Sequence, residues 1–165
     1  MKKIISYFTL LIMITSALVF SSCALGDETR AVTDEFISQN GRTLCVSDRG
    51  DCEGYPENTV EGILSSHEQG ADIVLCNVSV TKDSVPVLLD SSNASAMFSK
   101  DVGDISSVNY ADIAGIKLRL SHGGGARDIT DKTVDTLSDA LKKTKNTVLM
   151  LDVDESNLDV VYDTV

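Results

Sequence analysis

The fold prediction starts from four short segments, which in chain order are Asp48-Arg49-Gly50, Pro56-Glu57-Asn58-Thr59, Gly70-Ala71-Asp72 and Thr81-Lys82-Asp83. The first of them ends a predicted strand over 43–48. A helix is predicted from Asn58, because Asn58 can cap it and Glu61 lies where a capping box needs it. Gly70 then ends this helix in the left-handed conformation, and a buried strand is predicted over 72–80. Strands that alternate with helices indicate a parallel α/β arrangement.

The rest of the chain continues the alternation of strands and helices. A third strand is predicted over 85–89, with Asp90 at its tip. Thr136 and Asp139 form the signature of a capped helix, and 147–153 is a continuous apolar run typical of a buried strand. We therefore predict an α/β fold, a partial TIM-type (β/α) barrel with about four parallel strands. A closed barrel takes about 250 residues, and this chain has 165, so the barrel is predicted to be open or truncated.

The N-terminal residues have the layout of an export signal and not of a core helix. Two lysines precede a long uncharged run, and small residues come directly before Cys23. We predict a signal peptide over 1–22 with lipoprotein-type cleavage and lipidation at Cys23; an uncleaved anchor or an ordinary secretory signal are the alternatives. The segment 23–42 is predicted to be a spacer with one helical turn, and 43–165 to be the globular domain. The domain is then extracytoplasmic and held at the cell membrane by its lipid anchor.

The chain is strongly acidic. Without residues 1–22, 12 basic residues remain against 25 acidic ones, a formal charge of −13. Such a surface repels nucleic-acid phosphates and anionic lipid head groups, so nucleic acid is excluded as a partner and membrane contact is left to the lipid anchor. Small molecules, cations and basic surfaces are the expected partners.

Three cysteines follow Cys23, namely Cys45, Cys52 and Cys76, and their odd number excludes complete pairing. Cys45 and Cys76 fall on the same face of strands predicted to be neighbours, so a bridge between them is one option. Buried thiols without a bridge are the other. The chain has no Cys-x-x-Cys spacing, which argues against a thiolate zinc site.

In order and spacing, these segments resemble the opening of the glycerophosphodiester phosphodiesterase family. The matching pieces are Arg49-Gly50, Pro56-Glu57-Asn58-Thr59, Gly70-Ala71-Asp72, Thr81-Lys82-Asp83 and Val85-Pro86-Val87. The resemblance implies the first half of a TIM-type barrel. It also implies hydrolysis of glycerophosphodiesters to glycerol 3-phosphate and an alcohol, with two histidines as acid and base and a divalent cation, calcium or magnesium, held by carboxylates. The implied ligand is a glycerophosphodiester or a polyol phosphate.

Most of the family's site positions are substituted in this chain. Asp48 and Asp90 stand at the places of the two catalytic histidines, and Arg49 keeps the arginine. The places of the three metal-binding carboxylates are taken by Leu75, Asn77 and Asp152. An ionised aspartate has no proton to give to a leaving group, and a leucine cannot bind a cation. The resemblance therefore implies a catalytically impaired or inactive domain with no certain cofactor.

The sequence leaves three interpretations open. The domain has lost its catalysis, or it is an active metal-dependent hydrolase of glycerophosphodiesters, or it is a binding or interaction module with a rebuilt acidic cation site. The residues of that cation site would be Asp48, Asn77, Asp90 and Asp152. A partial barrel is also expected either to be a fragment or to be completed by oligomerising. His67, in a predicted helix, and His122, in a glycine-rich loop, lie away from the strand tips and do not replace the missing pair.

Overall fold

The computed structural model describes residues 27–38, 41, 43–121 and 128–165, and strands alternate with helices along most of them. The strands are β1 (Val46–Asp48), β2 (Ile73–Val80), β3 (Pro86–Leu88), β4 (Lys117–Arg119), β5 (Ile129–Thr133) and β6 (Val148–Val153). The helices are α1 (Asp27–Ser38), α2 (Val60–Glu68), α3 (Ala94–Met97), α4 (Tyr110–Ile113), α5 (Leu137–Lys143) and α6 (Leu158–Tyr162). The predicted signal peptide and Cys23 lie outside the described residues. Within the described ranges, no helix combines the length and apolar character needed to cross a bilayer.

The main sheet is built around β2. β1 and β6 pair with β2 in parallel, with Val46 and Val148 both opposite Ile73, and β3 pairs with its far end in antiparallel orientation. The parallel strands thus lie side by side in chain order, β1, β2 and β6, as they do in a (β/α) barrel. The described strands form no closed barrel. The prediction of an α/β fold with an open, partial barrel is confirmed.

One of the four strands that were predicted to be parallel runs the other way. Between β2 and β3 the Thr81 hydroxyl donates to the Asp83 carboxylate at 2.6 Å and accepts from the Val85 N–H at 3.1 Å. Ser84 completes the turn with a left-handed φ of 61°. A connection this short joins only antiparallel neighbours. β3 is therefore the return arm of a hairpin, and the parallel part of the sheet has three strands.

The side chains of β2 alternate between two faces. The outer face carries the main apolar core, which joins β2 to α2 and α5 through Val60, Ile63, Val74, Cys76, Val78, Val80, Leu137 and Ala140. Burial raises the pKa of the Cys76 thiol to about 12, with a further contribution from the Asp48 carboxylate. Ile73, Leu75 and Asn77 point to the inner face. The inner face therefore carries the polar side chain of Asn77 near the end of β2.

A second apolar core lies beside the first. It packs β3 against the 94–118 segment and includes Val87, Leu89, Ala94, Met97, Phe98, Ile105, Ile113, Ile116, Leu118 and Val134. Residues on both sides of the glycine-rich segment form the antiparallel pair β4 and β5. Residues 122–127 of this region, including His122, lie outside the described residues.

Helix α2 begins one residue later than predicted. Thr59, not Asn58, is its N-cap, and the Thr59 hydroxyl accepts from the Gly62 N–H at 3.4 Å. Asn58 is buried with a left-handed φ of 58°, and its side chain turns to β2 instead. The predicted role of Gly70 is confirmed, since it follows the helix with φ of 99°.

The segment predicted to be a spacer contains a full helix that packs on the sheet. α1 has 12 residues, where the sequence indicated a single turn. The Thr29 hydroxyl donates to the Lys145 carbonyl at 3.4 Å, just before β6 begins. Further along α1, Val32 and Phe36 meet Val148 around an apolar cavity of about 180 Å³. Tertiary packing of this kind stabilises helices whose local pattern is weak.

The pairing register excludes the bridge between Cys45 and Cys76. Cys45 lies opposite Asp72, whose N–H donates to the Cys45 carbonyl at 2.9 Å. Cys76 is four residues further along β2, a separation of about 13 Å at the rise of a strand. A disulfide needs Cα atoms within about 7 Å. The alternative of thiols without a bridge holds for these two residues, although Cys45 is exposed and only Cys76 is buried.

Gly50 permits a close approach between the end of β1 and α2. A Cβ atom at Gly50 would lie 2.8 Å from the Gly62 carbonyl carbon, and its φ is 86°. We expect Gly50→Ala to lower the free energy of unfolding by about 2 kcal/mol or more, since backbone strain and a backbone clash add together. Gly70→Ala is the matched control, because its φ is also left-handed and its Cβ meets nothing within 4 Å. Urea denaturation measures both variants, and equal losses would contradict this role of Gly50.

Two buried threonines on either side of the turn between α5 and β6 differ in their hydrogen bonding. Thr147 is 6% exposed, and its hydroxyl has no hydrogen-bond partner among the described residues. The Thr144 hydroxyl donates to the Ala140 carbonyl at 2.8 Å. We expect Thr147→Val to raise the free energy of unfolding by about 1 kcal/mol, because it removes an unsatisfied buried hydroxyl. Thr144→Val should lower it; a loss in both variants would show that the Thr147 hydroxyl is satisfied in solution.

Candidate functional site

The parallel strands end at one rim, and the residues predicted for the site gather there. Asp48 ends β1, Asn77 and Asp152 lie near the ends of β2 and β6, and Asp90 follows β3. In (β/α) barrels this end of the strands carries the site. A cleft of about 480 Å³ opens at the rim, lined in part by Asn77, Asp90 and Asp152.

A left-handed turn at Arg49 and Gly50 fixes the end of β1. The two residues have φ of 62° and 86°. The Arg49 N–H donates to the Leu75 carbonyl at 2.8 Å, and the Arg49 carbonyl accepts from the Asn58 N–H at 2.9 Å. The backbone of Arg49 is therefore held between β2 and the start of α2.

The Arg49 guanidinium faces three carboxylates. Its Nη1 lies 3.2 Å from Glu57 Oε1 and its Nη2 lies 3.3 Å from Asp90 Oδ2. Its Nε lies 3.7 Å from Asp48 Oδ1, too far for a hydrogen bond. Glu57 is 7% exposed and Asp48 is 74% exposed, so the Glu57 pair is the buried one and the Asp48 pair contributes little. One cation among three anions leaves this group with an excess of negative charge.

Glu57 is part of the site, although it was not among the predicted site residues. Asn93 Nδ2 donates to Glu57 Oε1 at 2.9 Å, alongside the guanidinium. The Glu57 N–H donates to the Ser121 hydroxyl at 2.7 Å. Glu57 thus connects the turn after β1 to two distant loops. In the sequence, the only indication of this role was that Glu57 lies close to Arg49, and that spacing does not reveal that the Glu57 side chain is buried.

A chain of three side chains crosses the inner face beside the Arg49 group. The buried Asn58 side chain accepts from the Asn77 N–H at 2.9 Å and donates through Nδ2 to Asn77 Oδ1 at 3.3 Å. Asn77 Nδ2 in turn donates to Asp152 Oδ2 at 3.0 Å. The importance of Asn58 was missed because its type and position fit a helix cap equally well.

The residues at the three metal-binding positions do not fit a divalent cation. Leu75 has no donor atom. Asn77 presents an N–H group to Asp152 at 3.0 Å, where a hard cation needs oxygen ligands on all sides. Among the described residues, no three His, Cys, Asp or Glu side chains lie close enough together to hold a metal ion.

Three Asp-x-Ser turns surround the cleft. In each of them the carboxylate accepts from both the N–H and the hydroxyl of the serine two residues on, in the pairs Asp90–Ser92, Asp104–Ser106 and Asp154–Ser156. The Ser156 hydroxyl and N–H lower the pKa of the exposed Asp154 carboxyl. These turns cap short 3₁₀ helices. The repeated Asp-x-Ser spacing was visible in the sequence, but Asp104 was not among the predicted site residues.

The four residues of the predicted cation site divide into two groups. Asp48 and Asp90 lie beside Arg49, whereas Asn77 and Asp152 bond to each other. His67 lies elsewhere, in the last turn of α2, with its ring nitrogen 3.3 Å from the Ala71 carbonyl. That position is at the end of the sheet opposite the rim.

Solved structures share this fold. The chain superposes on a glycerophosphoryl diester phosphodiesterase from Parabacteroides distasonis with a TM-score of 0.61 and 23% identity, over 79% of this chain and 48% of that one. It superposes on the corresponding domain of a Mycobacterium tuberculosis protein with a TM-score of 0.61 and 22% identity, over 73% and 47% of the two chains. The chain superposes on an Oleispira antarctica phosphodiesterase, solved in complex with the product sn-glycerol-3-phosphate, with a TM-score of 0.61 and 21% identity, over 74% of this chain and 51% of that one.

The chain thus spans about half the length of these structures. No curated protein matches it. The sequence profile of the glycerophosphoryl diester phosphodiesterase family matches residues 49–160, which run from the arginine after β1 into α6. The chain belongs to the glycerophosphoryl diester phosphodiesterase family.

Proposed function

We propose that this chain is an extracytoplasmic, lipid-anchored member of its family in which hydrolysis of glycerophosphodiesters is lost or strongly reduced. The observation that carries the proposal is the ion pair between Asp90 and Arg49, 3.3 Å apart, at the place of the second catalytic histidine. The lipid anchor is supported by the small residues before Cys23 and the uncharged run that precedes them.

The reaction implied by family membership needs one group that accepts a proton and one that donates it to the leaving alcohol. Asp90, in its ion pair with Arg49, is a carboxylate and has no proton to donate. Asp48 is a largely exposed carboxylate that carries the same charge as a phosphodiester. The rim therefore lacks a proton donor at either family position, and its charge opposes the approach of an anionic substrate.

The second support is the mismatch with a divalent cation. A cation in such a site would offset the charge of the phosphodiester. Here Leu75 offers no ligand and Asn77 Nδ2 is bonded to Asp152. We derive no catalytic step from a metal at this rim.

A glycerophosphate is the ligand class suggested by the Oleispira antarctica structure, which contains sn-glycerol-3-phosphate. In this chain its phosphate would meet Arg49, whose guanidinium already faces three carboxylates. The described residues that line the cleft include four aspartates and no lysine, arginine or histidine. We propose that glycerophosphates bind weakly and that the acidic cleft favours neutral or cationic ligands.

The activity prediction uses release of glycerol 3-phosphate from glycerophosphocholine, with calcium or magnesium added. We expect the chain to release no more product than its Arg49→Ala variant, because neither aspartate can protonate the leaving group. An active family member under the same conditions is the positive control. Turnover well above the buffer rate that is abolished by Arg49→Ala would overturn the proposal.

The metal prediction uses calorimetry with calcium and with magnesium. We expect no saturable binding to the unmodified chain and a gain of binding in the double variant Leu75→Glu, Asn77→Asp, which places two new carboxylates beside Asp152. The matched control is Leu75→Gln, which adds an oxygen without charge and should gain little. Cation binding to the unmodified chain that is lost in Asp90→Ala would establish the rebuilt cation site instead.

A further inference from the structure

We infer that the domain stands on the membrane with its strand-start end toward the lipid, so that the cleft opens away from the bilayer. The strand-start end comprises the beginning of α1 and the segments that precede the parallel strands, 43–45, 69–72 and 144–147. The inference rests on the lipid anchor of the proposed function.

The predicted lipid-bearing residue, Cys23, is close in sequence to the strand-start end. Three residues separate Cys23 from Asp27, where α1 begins, so the lipid-bearing residue lies within about 14 Å of the helix even if the chain is fully extended. Two residues into α1, the Thr29 hydroxyl donates to the Lys145 carbonyl at 3.4 Å. Thr29 is also 7% exposed. The start of α1 is therefore packed against the strand-start end and does not swing freely.

The cleft lies at the opposite end of the strands. Asp152 lines the cleft and lies four residues after Val148, the first residue of β6. This places Asp152 about 13 Å further along the strand, toward the rim. Lys145 precedes Val148 and lies on the side of β6 away from the rim. A tether that leaves beside Lys145 therefore holds the strand-start end closer to the lipid than the rim.

The charge of the rim favours the same orientation. The rim carries the four aspartates of the cleft. Anionic head groups repel an end of the domain with this charge.

This orientation narrows the source of any ligand. A cleft that opens away from the bilayer is reached by molecules dissolved in the surrounding medium, and the head groups of the membrane that holds the protein do not reach it. The same chemical group attached to a lipid of that membrane would remain out of contact.

The test places a fluorescent label at each end of the acylated protein, reconstituted in vesicles of phosphatidylethanolamine and phosphatidylglycerol with a quencher on the head groups. The strand-start label is attached to the exposed native Cys45 in a Cys52→Ser background. The rim label is attached to a cysteine introduced by Glu155→Cys, at an exposed position, with Cys45→Ser and Cys52→Ser. Cys76 is buried and stays unchanged.

We expect the Cys45 label to be quenched several-fold more strongly than the label at position 155. Equal quenching of both labels, or stronger quenching at the rim, would overturn the orientation. Failure of the anchor itself is distinguished by mass spectrometry, which would find Cys23 without lipid, and by recovery of the protein in the soluble fraction.

Discussion

The left-handed turn at Arg49 and Gly50 is the constraint on which the rest of the structure depends. It is bonded to β2 through the Leu75 carbonyl and to the start of α2 through Asn58, and Gly50 lets the backbone lie against Gly62 at a distance that no side chain permits. One short turn therefore sets the end of a strand, the start of a helix and the direction of a guanidinium. The scaffold needs this geometry whether or not the rim performs any chemistry.

That requirement accounts for the contrast between the scaffold and the site. Arg49 stays useful without a substrate, because Glu57 and Asp90 give it buried or partly buried partners. Asn77 likewise bonds to Asn58 and Asp152, so the inner face is satisfied by hydrogen bonds among its own side chains. The positions to which the resemblance assigns a charged ligand and a cation carry, in this chain, residues that bond to one another.

Much of the fold could be predicted from local pattern, because strand alternation, the glycine at the end of α2 and the cap of α5 are properties of neighbouring residues. The antiparallel direction of β3 depends on a four-residue turn, and α1 depends on packing against β6, so neither was fully determined by periodicity. The substitutions at the site were readable from the resemblance. The pairing of Arg49 with Asp90, and of Asn58 with Asn77, joins segments that are remote in sequence, and no local pattern predicts such contacts.

The three Asp-x-Ser turns hold the loops around the cleft without a bound ion. Each loop is closed by its own side chains, through two hydrogen bonds to one carboxylate. The hydrogen bonds that hold each loop therefore need no bound ion. Because the turns hold the loops in place, the other residues that line the cleft can be exchanged without loss of the loop structure. Substitution of those residues alone can then change which ligand the cleft binds.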